Sequence, residues 1–323
     1  MRFVHGLRAV IALIVFSLPR PTVAQDITIR VGHFPNITHI QALVAHAMSR
    51  SGPGWFEPRL GPNIRLDWYV YNAGPSAMEA IFADTVDMTY VGPSPAINAY
   101  ARAKGEDVRI IAGAAEGGAA LVVPANSTLK TQADFRGRRL ATPQLGNTQD
   151  VSARAWLAAG GLKVTLGGGD AQVIPTSNPD QLGLFRGGQI DAVWTVEPWV
   201  SRLEQEADGR ILIEEKTAIT TVLVSSRKFL ERRQDLARRF AAAHAELTAW
   251  IRDHPDEARA LAQAELLAET RTPVSAALIA RAWTRITLTD RIDRAELERF
   301  VNKAREAGFL RAAPDLSRLV VTP

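Results

Sequence analysis

Short apolar strands alternate with amphipathic helical stretches over residues 27–225, and five of those strands run straight into polar loops containing glycine or proline. This alternation limits the chain to open α/β sheets built from βαβ units. Ile27, Ile29 and Val31 alternate, as do Ile64, Leu66, Trp68 and Val70. Further strands are expected at 88–91, 110–112, 120–123, 140–142, 173–174, 192–196 and 221–225, with helices between them such as 40–48 and 77–82. After about residue 228 the pattern turns almost wholly helical. Leu236, Phe240, Leu247 and Ile251 share one face, and Pro255 stands near the start of the next helix.

The loops carry helix-start chemistry. Residues 32–38 (GHFPNIT) end in Thr38, which with Gln41 fits a capping box. Residues 72–76 (NAGPS) end in Ser76, which pairs in the same way with Glu79. In 92–95 (GPSP), Ser94 is expected at an N-cap with Pro95 at the first helical position. The loop 143–148 (PQLGNT) leads to Thr148, and 175–179 (PTSNP) has Gln181 to complete a third box. Any one of these is explained as a well-made helix start. Five in a row at strand ends say more, because the carboxyl ends of strands line the ligand crevice of an open α/β sheet. Helix N-termini there offer free N–H groups and a positive dipole end to a small ligand with an anionic group. Neither GxGxxG nor GxxxxGK[ST] occurs, so nucleotide binding is not supported.

Two stretches resemble each other. Phe82 to Asp87 and Phe185 to Asp191 both read helix, tight turn, Asp, strand, proline, as two related lobes would. The segment 1–24 reads as a cleaved signal peptide: Arg2, His5 and Arg8, then an apolar run at 9–18, then Thr22-Val23-Ala24. Ten apolar residues are too few to span a bilayer core of about 30 Å. Without Arg2, Arg8 and Arg20 the chain has 35 basic residues against 34 acidic, so its charge gives no reason to expect nucleic acid. There is no cysteine, which excludes disulfides, thiolate metal sites and cysteine nucleophiles. Export without cysteine or anchor points to a bacterial periplasm.

Signs of catalysis are weak. HExxH and GxSxG are both absent, and His33 with His39 lacks the helical spacing of a metal pair. Glu197, in Trp194-Thr195-Val196-Glu197-Pro198-Trp199, either holds a polar ligand group or accompanies core tryptophans. Arg136, Arg138 and Arg139 read as a solvated turn before a strand.

These residues together resemble the periplasmic substrate-binding proteins of ABC importers, in the nitrate/sulfonate/taurine group that also includes binders of pyrimidine precursors. The resemblance rests on Val31-Gly32-His33-Phe34, 72–76 with Met78-Glu79-Ala80, Val86-Asp87-Met88 with 92–96, 133–137 with 140–142, 189–192 and Glu197-Pro198-Trp199. It implies a two-lobe fold of type II, with open sheets, flanking helices and the ligand in the cleft between lobes. Lobe 1 would hold 26–114 and 215–323, lobe 2 would hold 115–214, and the crossings would lie near 113–118 and 212–217. The implied ligand-binding residues are Asn36, Thr38, His39, Gly74, Ser76, Ser94, Glu116, Gly117, Asn147, Thr148, Gln149, Trp194 and Glu197. No metal or cofactor is implied. The expected partners are a small molecule, an ABC permease and its ATPase subunit; a monomer with neither nucleic acid nor stable membrane insertion is expected.

The loops contain no lysine or arginine, which favours a sulfonate held by neutral donors over nitrate. Glu116, Asp150 and Glu197 fit an aminosulfonate such as taurine. Alternatives are a sensor partner, or a binder of nitrate, bicarbonate or a pyrimidine precursor. An enzyme similar to thiamine pyrimidine synthases is disfavoured, because that family relies on a cysteine-rich segment.

Overall fold

The computed structural model describes residues 26–323, so the expected signal peptide lies outside the described residues. The chain begins with β1 (Ile27–His33), α1 (Ile40–Ser51), the short α2 (Glu57–Leu60), β2 (Ile64–Val70), α3 (Gly74–Phe82), β3 (Met88–Val91), α4 (Pro93–Arg102) and β4 (Val108–Gly117). A second set follows: β5 (Ala119–Pro124), β6 (Arg139–Thr142), α5 (Thr148–Ala159), a small hairpin of β7 (Val164–Thr165) and β8 (Gly168–Gly169), β9 (Gln172–Pro175), α6 (Asn178–Arg186), β10 (Ala192–Val196), α7 (Trp199–Glu206) and β11 (Gly209–Glu215). The chain then returns through β12 (Ile219–Ser226) to α8 (Arg227–Arg232), α9 (Gln234–Asp253), α10 (Pro255–Thr270), α11 (Ala276–Trp283), β13 (Ile286–Leu288) and α12 (Arg294–Glu306).

Two sheets result, in the orders β13-β4-β12-β3-β1-β2 and β11-β5-β10-β6-β9. Each repeats one plan. A first strand (β1 or β6) is flanked by two parallel partners, and the third strand pairs antiparallel with a strand that has come across from the other sheet. The related Asp motifs sit at equivalent places. Asp87 precedes β3 and takes the Arg30 backbone N–H at 2.8 Å and its Nε at 3.0 Å. Asp191 precedes β10 and takes the Arg139 backbone N–H at 2.8 Å, with Nε at 3.4 Å. Arg139, read as part of a solvated turn, is therefore a strand clasp.

Both faces of each sheet are covered, so the inner parallel strands β3 and β10 are buried at every residue. One face of the first sheet packs on α1, α9, α10 and α11, and the other on α3, α4 and α12. The expected apolar face of α9 is buried at Leu236, Phe240, Leu247 and Ile251, with Phe240 stacked on Phe56 at 4.1 Å. Smaller cores lie on the two faces of the second sheet. No helix among the described residues is long and apolar enough to cross a membrane.

The chain crosses between sheets at Gly117 and Gly118, whose φ angles of 74° and 71° suit glycine. A Cβ on Gly117 would stand 2.5 Å from the Arg285 carbonyl oxygen. The return lies between Glu215 and Ile219. β4 stays in the first sheet as far as Gly117, beyond the expected boundary at residue 114.

Three expected capping boxes do not form. α1 starts at Ile40, and Gln41 reaches instead to the Ala114 carbonyl oxygen at 2.9 Å and Thr248 Oγ1 at 3.2 Å. α3 starts two residues before Ser76, at Gly74-Pro75, because proline at N1 or N2 has no N–H to lose. Its Glu79 pairs with Arg102 at 2.7 Å. Gln181 donates to the Thr176 carbonyl oxygen at 2.9 Å. Ser94 is likewise inside α4, which begins at Pro93 with Gly92 as its N-cap.

Candidate functional site

The strand-end loops of both sheets meet around one small cavity of about 20 Å³, room for a water or two. The first sheet supplies Asn36, Thr38, His39, Asn72 and Gly74. The second supplies Asn147, Thr148, Gln149 and Asn178. Larger hollows exist, such as one of about 470 Å³ beside α12, but it is lined by a single helix and the C-terminal loop.

Helix N-termini cluster at this cavity. Gly74 opens α3, Gly92 caps α4, Asn147 caps α5 by accepting the Asp150 N–H at 2.8 Å, and Asn178 opens α6. Thr148, at the first position of α5, has a buried Oγ1 with no hydrogen-bond partner. Such an orphaned hydroxyl costs free energy unless a further group satisfies it. His39 is buried and held well below the usual histidine range by desolvation and by His33. Its Nδ1 takes the Phe34 N–H at 3.4 Å, so the neutral ring keeps Nε2–H as a donor.

The sheets are drawn together around the cavity by direct hydrogen bonds. Ile37 N–H reaches the Glu197 carbonyl oxygen at 3.0 Å, and Trp199 Nε1–H reaches Asn36 Oδ1 at 3.1 Å. Asn72 Nδ2–H donates to the Pro143 carbonyl oxygen at 3.1 Å, while its Oδ1 lies 3.4 Å from the Asn178 N–H. A Cβ on Gly92 would sit 2.2 Å from Thr148 Oγ1, so only glycine permits this approach.

Six of the thirteen expected site residues lie away from the cavity wall: Ser76, Ser94, Glu116, Gly117, Trp194 and Glu197. Ser76 turns aside because α3 starts early; its Oγ exchanges hydrogen bonds with the Gln144 side chain at 2.8 and 3.2 Å. Ser94 is buried, with an unpartnered Oγ. Glu116 lies on β4, where desolvation first and then Asp293 and Glu296 raise its pKa. Gly117 serves the crossing. Trp194 belongs to the second core, with Nε1 3.3 Å from Glu215 Oε2 and Trp156 at 6.0 Å.

Glu197 is fully buried and already engaged by Ser201 N–H at 3.1 Å, Ser201 Oγ at 2.9 Å and Arg285 Nη1 at 2.7 Å. Asp150 is equally occupied, by Thr142, Gly146 and Arg154. None of these three carboxylates is placed for a ligand amine, so they lend no support to an aminosulfonate. The wall also holds Asn72, Asn178 and Thr220, which the expected set lacks. Asn72 and Asn178 lie in the strand-end loops named from sequence, whereas Thr220 lies on the returning β12, which carries no loop signal.

Comparison with known proteins now decides the family. The model of the NMT1-like family matches residues 24–267. This chain belongs to the NMT1-like family. Relatives within reach of it include a Bacillus subtilis (strain 168) protein named for aliphatic sulfonate binding, 27% identical over 227 residues, or 68% of this chain and 66% of that one. The taurine-binding periplasmic protein of Escherichia coli (strain K12) is 25% identical over 182 residues, 54% of each chain. The chain thus spans between about half and two thirds of these relatives' own length. Among solved structures, the alkanesulfonate-binding protein SsuA of Xanthomonas axonopodis pv. citri, bound to MOPS, superposes with a TM-score of 0.74 at 20% identity, covering 93% of this chain and all of that one. The periplasmic aliphatic sulphonate-binding protein SsuA of E. coli gives 0.70 at 21% identity, with 92% of each chain covered. This NMT1-like chain therefore has the generic periplasmic binding protein fold.

Proposed function

We propose that this protein is the periplasmic solute-binding component of an ABC importer, that it binds a small sulfonate, and that it delivers the ligand to a membrane permease with its ATPase subunit. The carrying observation is the cavity wall: neutral donors from both sheets, the N-termini of α3, α4, α5 and α6, and no charged side chain. Such a wall suits a dispersed anion held by N–H and O–H groups without a full countercharge. The names of the relatives point the same way.

In this reading the two sheets are the cores of two lobes, hinged at Gly117-Gly118 and at 216–218. The ligand is bound by Asn36, Thr38, His39, Asn72, Asn147, Thr148 and Gln149. A cavity of about 20 Å³ is smaller than the sites small organic ligands occupy, so entry requires the cleft to open. A thermal-shift panel of alkanesulfonates, taurine, nitrate, bicarbonate and pyrimidines tests the reading, since a ligand bound only by the folded protein raises Tm by mass action. A shift confined to sulfonates supports it. A shift with nitrate or a pyrimidine alone overturns the ligand class.

A further inference from the structure

Behind the first loop, outside the cavity wall, β1, α1 and α10 bring two histidines and two glutamates together. His33 ends β1, His46 stands on α1, and Glu265 and Glu269 stand one turn apart on one face of α10. We propose that His33, His46 and Glu269, with Glu265 beside them, form a binding site for a divalent transition-metal ion of the zinc class.

The donor geometry carries the proposal. One donor atom each from His33, His46 and Glu269 lies within 4.8 Å of the other two. Glu269 Oε1 is 3.0 Å from His33 Nε2 and 3.0 Å from His46 Nδ1, and Glu265 Oε1 is 2.8 Å from His46 Nδ1. A tetrahedral ion with bonds of about 2.0–2.2 Å separates its ligand atoms by about 3.3–3.6 Å, so shifts of well under 1 Å separate this cluster from a coordination shell at those contacts. The two imidazole centres are 5.5 Å apart, against about 5 Å for two imidazoles on one such ion.

A second observation is independent of the clustering. His33 is fully buried, and its Nδ1 has the Phe34 carbonyl oxygen as neighbour at 3.4 Å. That carbonyl can only accept, so the ring proton belongs on Nδ1 and Nε2 presents a lone pair. Yet Nε2 points into the cluster without a hydrogen-bond partner, and Glu269 Oε2 has none either. Nε2 also stands 3.0 Å from Glu269 Oε1, so a metal ion seated among these atoms would satisfy an otherwise unpartnered nitrogen. An Nδ1–H held by a backbone carbonyl, with Nε2 free for metal, is the arrangement metal-binding histidines usually adopt.

Charge and access agree. Glu265 and Glu269 would neutralise a divalent ion, and both side chains are almost wholly buried. Arg50 now occupies Glu265 at 2.7 Å and touches His46 Nε2 at 3.2 Å, but its side chain is 51% exposed and can swing to solvent, opening a path. Trp68 stacks on His46 at 5.3 Å and walls the other side.

The test is metal uptake by the whole exported chain after chelator treatment. Titration with Zn2+ should give one equivalent bound, and Co2+ should give the intense visible bands of a four-coordinate site with imidazole ligands. His46→Ala and Glu269→Gln should each weaken Zn2+ binding at least about tenfold. Arg50→Ala, a surface change that frees Glu265, should bind as tightly as the parent or more so, which keeps the test decisive if a core variant fails to fold. Absence of uptake at micromolar Zn2+, a six-coordinate Co2+ spectrum, or weaker binding by Arg50→Ala would each overturn the proposal.

Discussion

Arg285, on the turn between α11 and β13, closes on a carboxylate that belongs to the other sheet: its Nη1 lies 2.7 Å from Glu197 Oε1. Its Nη2 reaches Glu204 on α7 at 2.8 Å. The Glu197 backbone meanwhile bonds to Ile37 and to Gly118. One buried ion pair therefore ties the C-terminal region, the first cavity loop and the crossing together.

Removing one member of such a pair leaves an uncompensated buried charge. Arg285→Ala should destabilise the protein by about 3 kcal/mol at neutral pH, measured by urea unfolding. Burial already raises the Glu197 pKa, against Arg285 and Ser201, and losing Arg285 raises it further. A raised carboxyl contributes stability below its unfolded value of about 4.3 and loses it as pH rises through the folded value. The deficit of the variant should therefore shrink as pH falls towards about 4.3. A deficit that does not depend on pH would show that Glu197 titrates alike in both proteins.

His244 sets an opposite slope. It is fully buried on α9, with Nδ1 2.9 Å from Tyr90 Oη and Nε2 2.7 Å from the Gly113 carbonyl oxygen. Desolvation pushes it down to about 4. The unfolded chain thus takes the proton first, so stability falls as pH drops from about 6.5 towards 4, by roughly 3 kcal/mol from this residue. His244→Gln should flatten the unfolding free energy across that window. An unchanged slope would remove His244 as its source.

Gly92 is where closure is tightest. Gly92→Ala places a Cβ 2.2 Å from Thr148 Oγ1 and should hold the cleft open. The variant should fold normally, lose ligand affinity and show a larger radius of gyration in solution scattering with saturating ligand. Parent-like closure would mean that Thr148 yields to the added Cβ without cost.

Thr148 and Ser76 separate the site from its surroundings. Thr148→Val removes an unpartnered hydroxyl on the cavity wall and should weaken ligand roughly 10- to 100-fold with little loss of stability. Ser76→Ala breaks only the bridge to Gln144 and should change affinity no more than a few-fold. The reverse ranking would place the ligand outside this cavity.

The fold was legible because its signal is periodic. Strand alternation, the apolar face of α9 and the paired Asp motifs are local, and Asp87 and Asp191 do occupy equivalent places. The loops that meet at the cavity were legible for the same reason. Which side chains face it was not. Proline at the second position of α3 and the first of α4 starts each helix ahead of its serine, so Ser76 and Ser94 rotate off the wall. Glu197 sits beside the right loops in sequence, but its partner Arg285 is 88 residues away, a distance at which no motif speaks. The same holds for His33 at the end of β1 and Glu269 on α10, which meet only in the folded chain.

The central claim is that the neutral wall around Thr148 holds a sulfonate. Titration calorimetry of a short alkanesulfonate and of taurine, into the parent and Thr148→Val, tests it most directly. The account predicts 1:1 binding to the parent with a Kd of about 1 μM or tighter for at least one sulfonate, and weaker binding to the variant. No heat with any sulfonate, or equal affinity in both proteins, would contradict it.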